Sequence, residues 1–240
     1  SRATPYFERL ASLPASAAPK RIMLYFHGGG WATEGPKSAI DKRAAAQRWA
    51  NAGWLTINST YRPNAQPVTD VVALYDATRA MYGPSMKICT TGESAGAHLA
   101  LMVAVERRSL SCVVAHAGPT DLVNTDKSAF YASIVKDGMG TDPAFLRRNS
   151  PVLRAGEIRS KVFLGHHKDD LFVPAAQSRR LAAALGSRAT LRELKAPLDC
   201  PKGAEGPCLY IHAGAKLSDI NALYAAALQF AAAAPATPPA

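Results

Sequence analysis

The sequence contains no hydrophobic run long enough to cross a bilayer. Nearly half of its 240 residues are apolar, yet no stretch reaches the roughly 18 consecutive apolar residues that a spanning helix needs. The Ala-rich stretch 222–234 is interrupted by Tyr224 and Gln229 and reads as a final amphipathic helix. Acidic residues are scarce, 18 against 28 basic, giving a formal charge of +10. Long Lys/Arg runs are missing as well. The densest basic stretches are the pairs Lys42-Arg43, Arg107-Arg108, Arg147-Arg148 and Arg179-Arg180, each of which fits a solvated helix surface. There is no basic stripe with interleaved aromatics and no reading motif, so nucleic acid is not an expected partner. No internal repeat is evident.

Cysteine is sparse, with four residues. Cys200 and Cys208 flank a Pro/Gly-rich loop with little core of its own, which a disulfide would close. Cys89 and Cys112 fall in neighbouring expected strands, where two buried thiols and a second bridge are equally open. Bridges would place the protein in the periplasm or outside the cell; without them a cytoplasmic location is expected. The start at Ser1, with neither initiator Met nor a signal-peptide pattern, is expected of a processed or trimmed chain.

What is present is an alternation of apolar strand-like runs with helical patterns. Strands are expected near 22–27, 54–58, 86–91, 112–117, 161–166 and 189–194. Helices are expected near 38–52, 67–82, 95–107, 174–186 and 217–233. The alternation predicts an α/β domain with a mainly parallel sheet and helices on both faces. A single domain is expected over residues 1–234, followed by a disordered Pro/Ala tail, 235–240.

Two motifs carry chemistry. Gly92-Glu93-Ser94-Ala95-Gly96 lies between the strand-like run Met86–Thr91 and the helix-like run Ala97–Val105. Strand, G-x-S-x-G, helix is the context of a nucleophile elbow, with Ser94 at the apex of a turn too sharp for side chains at Gly92 and Gly96. Upstream, Tyr25-Phe26-His27-Gly28-Gly29-Gly30-Trp31 follows the run Ile22-Met23-Leu24. Acyl transfer needs donors aimed at a developing oxyanion, and a glycine run presents backbone N–H groups with no side chain in the way.

Together these residues resemble the α/β-hydrolase superfamily, most closely its esterase/lipase group carrying His-Gly-Gly-Gly-Trp and Gly-x-Ser-Ala-Gly. The resemblance runs from about Ile22 to about Phe230. It implies a single-domain α/β-hydrolase fold. Only about twenty residues precede the first strand, too few for a helical cap, so an open site is expected. The segment Val123–Asn149 is the one sizeable insertion and is expected to form a short helix or a partial lid.

The resemblance also implies the rest of the catalytic set, in the order Ser, acid, His. Asp170 matches the family spacing to Val173 and Pro174, with Asp169 as the alternative. His212 is the only histidine after the acid and is the expected general base. Ala95, Gly29 and Gly30 are the expected oxyanion donors. Trp31 and Glu93 are candidate substrate-binding residues, Trp31 either as a pocket wall or as packing against the following helix. His27 is expected to hold the oxyanion loop, and His98 to be a packing or helix-surface residue. His116, His166 and His167 are placed near the cleft. His166 and His167 beside Asp169 and Asp170 lack metal-ligand spacing, so no metal or cofactor is expected.

The expected activity is serine carboxylic-ester hydrolysis through an acyl-enzyme. The substrate is a small-molecule ester or a bulky or polymeric one, such as acylated polysaccharide, feruloyl esters or polyesters. Arylformamidase activity on N-formylkynurenine is the enzymatic alternative, because Ser94–Ala100 and the His-Gly-Gly-Gly-Trp loop also resemble that family. A non-catalytic hydrolase-fold binding protein is the alternative from another class.

Overall fold

A computed structural model describes residues 7–11, 18–32, 36–63, 66–195 and 217–237. His212, Cys200 and Cys208 lie outside the described residues, and so do residues 238–240 of the expected tail.

The described residues form a seven-stranded sheet in the order β1-β3-β2-β4-β5-β6-β7. The strands are β1 (Phe7–Leu10), β2 (Arg21–Phe26), β3 (Leu55–Ser59), β4 (Lys87–Glu93), β5 (Cys112–His116), β6 (Lys161–His167) and β7 (Ala189–Leu194). Every pairing is parallel except β1 with β3. This short antiparallel edge strand is the one strand that the sequence pattern does not anticipate. It has the exposed/half-buried alternation of an edge and too few apolar residues to stand out.

The helices are α1 (Pro36–Asp41), α2 (Arg43–Asn51), α3 (Pro67–Tyr82), α4 (Ala95–Glu106), α5 (Ala129–Met139), α6 (Pro143–Arg148), α7 (Ala176–Leu185) and α8 (Leu217–Ala233). The single helix expected over 38–52 is divided at Lys42 into α1 and α2. The insertion after β5 holds two helices. Ser128 caps α5 by accepting from the Tyr131 N–H, Asp142 caps α6 by accepting from the Ala144 N–H, and Pro143 opens α6.

Both faces of the sheet are apolar, as parallel strands buried on two sides require. Successive residues of β2 alternate between two cores. Ile22, Leu24 and Phe26 pack with α3, α4, α5 and α7. Met23 and Tyr25 pack with α2, α8 and the Trp49–Trp54 pair. Cys89 and Cys112 are register partners across β4 and β5 and form a disulfide in this second core. Near the C-terminus, Ser111 Oγ donates to the Ala236 carbonyl and Lys87 Nζ to that of Ala234. The chain is therefore still docked at Ala236, inside the segment expected to be disordered.

Strand order reverses between β2 and β4. The chain leaves β2 toward β3 on one side, then returns through α3 to β4 and proceeds outward to β7 on the other. In open parallel sheets the crevice beyond the carboxyl ends of the strands at such a reversal is where ligands bind. The two strands that flank it lead directly into His27–Trp31 and into Ser94.

Candidate active site

Ser94 follows β4 and is the residue before α4. Its backbone sits at φ 54, ψ −124, a region that a residue with a Cβ occupies only under strain. The Ser94 N–H donates to the His116 carbonyl at 2.9 Å, which ties the turn to the end of β5. The side chain is half-buried. From Ala95 to Val105 every residue of α4 is buried, so the helix is fixed in the core and the elbow is fixed with it. Its first intrahelical bond runs from the His98 N–H to the Ser94 carbonyl at 3.1 Å. The N–H groups ahead of it, including that of Ala95, have no partner within the helix and carry the positive end of its dipole.

The glycine loop comes against this turn backbone to backbone. A Cβ on Gly28 would lie 2.8 Å from the Glu93 carbonyl oxygen and 3.3 Å from Ser94 Cβ. Gly29, Gly30 and Trp31 follow at φ 118, 61 and 62. Glycine adopts such angles freely, whereas Trp31 does so at a cost. The loop is anchored at its start by His27. The Nδ1–H of His27 donates to the Gly28 carbonyl at 2.7 Å. Its ring stacks on Tyr61 with centroids 4.4 Å apart, and the Tyr61 hydroxyl donates to the His27 carbonyl at 2.9 Å. Burial lowers the pKa of His27.

Trp31 is fully buried. Its indole N–H donates to His98 Nδ1 at 3.0 Å, so its hydrogen-bond partner lies on α4 rather than on the helix that follows it in sequence. The Glu93 carboxylate accepts from the Tyr224 hydroxyl of α8 at 2.8 Å. The substrate-binding role expected of Glu93 thus meets a side chain already engaged on the α8 side of the sheet.

The loop after β6 separates the two aspartates. Asp170 Oδ1 accepts from the N–H groups of Phe172 and Val173 at 2.8 and 2.9 Å, and its carboxylate is buried with Oδ2 3.2 Å from His166 Nε2. Asp169 is exposed and pairs with Lys168. His166 is spent on structure. Its Nε2–H donates to the Val173 carbonyl at 2.9 Å and its Nδ1 is 2.7 Å from Ser178 Oγ. His116 is buried between Phe163 and Tyr224, and its pKa is pushed down to about 4, by burial first and then by His166. Among the described residues, no group of three or more His, Cys, Asp or Glu side chains is placed to hold a metal ion.

The insertion helix closes one side. On α5, Phe130, Ile134 and Gly138 share a face by their four-residue spacing. A Cβ on Gly138 would overlap the Gly30 carbonyl oxygen and lie 2.5 Å from Trp31 Cε3. At the other end the Phe130 ring packs edge-on against Phe172, centroids 5.0 Å apart. The helix therefore runs from the glycine loop to the loop that carries Asp170. Phe130 on this helix, Val123 in the loop after β5 and Leu171 in the loop after β6 are exposed. A separate groove of about 510 Å³, lined by Val72, Asp76, Arg107, Phe145 and Arg148, holds none of the candidate catalytic residues.

The sequence pattern undervalues His98 and α5. A polar residue inside a helix whose other positions are all apolar must be buried with partners, and that signal was present in Ala97–Val105.

A sheet reversing at β2 and β4, with a strained serine on one strand end and a glycine loop on the other, defines an α/β-hydrolase. Residues 12–185, more than half of the chain, match the BD-FAE family model, and the chain belongs to that family. Among solved structures, it is similar to an acetyl ester-xyloside bifunctional hydrolase from Caldicellulosiruptor lactoaceticus, at 20% identity over 82% of this chain and 79% of that one, TM-score 0.69. Thermogutta terrifontis esterase 2 phosphonylated by sarin aligns at 20% identity over 95% and 87%, TM-score 0.68. A hormone-sensitive lipase from a metagenome library aligns at 18% identity over 77% and 70%, TM-score 0.61. No curated protein matches the chain significantly. No described helix is long and apolar enough to cross a membrane.

Proposed function

We propose that the chain is a serine carboxylic-ester hydrolase working through an acyl-enzyme. Ser94 attacks the ester carbonyl while His212 removes its proton, and Asp170 orients the imidazole. The tetrahedral oxyanion forms against the N–H groups of Ala95, Gly29 and Gly30, each donor lowering the barrier by roughly 3 kcal/mol. His212 protonates the leaving alcohol, and water repeats the sequence to release the acid. The reading rests chiefly on one observation: the strained Ser94 turn lies against Gly28 with the N-terminus of α4 beside it. The burial of Asp170, against the exposure of Asp169, favours Asp170 as the acid.

The substrate reading is a bulky or polymeric ester. The exposed apolar rim of Val123, Phe130 and Leu171 beside the loops after β5 and β6 favours it. The likeness to an acetyl ester-xyloside bifunctional hydrolase supports an acylated carbohydrate among such esters. The disulfide between β4 and β5 favours an oxidising compartment, periplasmic or extracellular, over the cytosolic setting of an arylformamidase.

The test is hydrolysis of p-nitrophenyl acetate, butyrate and octanoate by the wild type and Ser94→Ala. Turnover by the wild type alone supports the reading, and the chain-length profile sizes the acyl pocket. Equal slow release by both proteins would overturn it.

A further inference from the structure

His98 stands one helical turn after the nucleophile and is fully buried. Both of its ring nitrogens are used. Nε2 lies 2.7 Å from the carbonyl oxygen of Asn149, the residue that ends α6. A carbonyl only accepts, so Nε2 carries the hydrogen. Nδ1 then holds the lone pair that receives the indole N–H of Trp31 at 3.0 Å. Only one tautomer of the neutral ring satisfies both partners. Burial keeps the ring neutral, with its pKa lowered to about 4.

The other end of this tie is the glycine loop. Gly29, Gly30 and Trp31 all have positive φ, and Trp31, with its Cβ, stays there only if its surroundings hold it. The indole is confined by His98 of α4 on one side, rings edge-on with centroids 5.3 Å apart, and by Gly138 of α5 on the other. Without the bond to His98, a buried indole N–H would lose its partner, and the peptide N–H groups of Gly29 and Gly30 would lose their fixed aim.

We propose that His98 is a positioning residue for ester hydrolysis, locking the Gly28–Gly30 loop onto the elbow helix through Trp31 so that the loop's N–H groups face the oxyanion beside Ser94. The proposal rests on the esterase reading. It adds a device that couples the two halves of the oxyanion hole through a single imidazole. The interaction is invisible to substrate binding in the ground state and acts where charge develops, so its loss falls on kcat.

Three variants separate this role from simple packing. Trp31→Phe removes the donor and keeps the aromatic bulk. His98→Gln keeps an amide N–H for Asn149 and places nothing at the Nδ1 position. His98→Asn puts an acceptor oxygen near that position and restores the bond to Trp31. On p-nitrophenyl acetate, Trp31→Phe and His98→Gln are expected to lower kcat by about 10- to 100-fold, part of the effect of deleting an oxyanion donor, with KM nearly unchanged. His98→Asn is expected to recover most of the rate, and the Trp31→Phe/His98→Gln double variant to be no slower than the singles. Amide hydrogen exchange over residues 28–32 should quicken in the two slow variants and not in His98→Asn. Unchanged kcat and unchanged exchange in His98→Gln, or a rise in KM alone, would overturn the proposal. A wild type inert toward esters would sink the esterase reading instead, while the exchange measurement would still decide whether His98 holds the loop.

Discussion

Gly96 lies directly beneath the backbone of His27. A Cβ at Gly96 would reach the His27 carbonyl oxygen to 2.6 Å and would overlap that of Phe26. The last residue of the Gly92–Gly96 turn and the first residue of the glycine loop thus touch through backbone atoms alone, and this contact fixes how closely the Ser94 turn and the glycine loop approach.

Gly96→Ala is therefore expected to be severely destabilising. The obstructing atoms are backbone on a central strand and cannot swing aside. A loss above about 3 kcal/mol is expected, at the upper end for overpacking in a core. Chemical denaturation of wild type and variant measures it, and a variant within 1 kcal/mol (about fivefold in equilibrium constant) would show that the two segments can separate.

The two aspartates after β6 make a paired prediction. On the proposed triad, Asp170→Asn should lower kcat by about 10³-fold or more, as loss of the triad carboxylate does elsewhere. Asp169→Asn, which releases only an exposed pair with Lys168, should leave kcat within about twofold, because such surface pairs contribute little. The reverse ranking would assign the acid to Asp169.

Acid sensitivity follows from two buried imidazoles. His98 and His116 both have folded pKa values lowered by burial to about 4 from 6.5. Between these values the unfolded chain binds more protons than the folded one, so stability falls as pH drops from 6.5 toward 4 and is level above that window. Each histidine contributes on the order of 3 kcal/mol across it. Urea unfolding at pH 7.5, 6 and 5 should show the decline, and His98→Asn should remove about half of it, leaving the part that His116 contributes. Stability independent of pH from 7.5 to 5 would contradict the burial of both rings.

Much of this was legible in the sequence because strong local signals coincided. Continuous apolar runs such as Ile22–Phe26 marked strands buried on both faces of a parallel sheet. The glycines at 28–30, 92 and 96 marked sites where only backbone fits. Helix α3, opened by Pro67 and ended by Gly83, matched its expected bounds of 67 and 82. Edge strand β1 was missed because Phe7–Leu10 is stabilised by pairing with β3, a contact that no local pattern encodes. The break at Lys42 was missed because lysine is itself a good helix former and no Gly or Pro marks the position. The tie from Trp31 to His98 spans 67 positions. The sequence left His98 open between packing and helix surface, and no local pattern names its partner. The state of Cys89 and Cys112 was set by register, since adjacent parallel strands bring them to a Cα separation of 4.6 Å.

The central claim is that Ser94 is an activated nucleophile. The most direct measurement is reaction of the folded protein with a fluorophosphonate probe, followed by mass mapping of the modified peptide. The account predicts stoichiometric modification at Ser94, absent in Ser94→Ala and slowed in Asp170→Asn. A folded wild type that remains unmodified, or that is modified equally with and without Ser94, would contradict it and favour a binding protein built on a hydrolase fold.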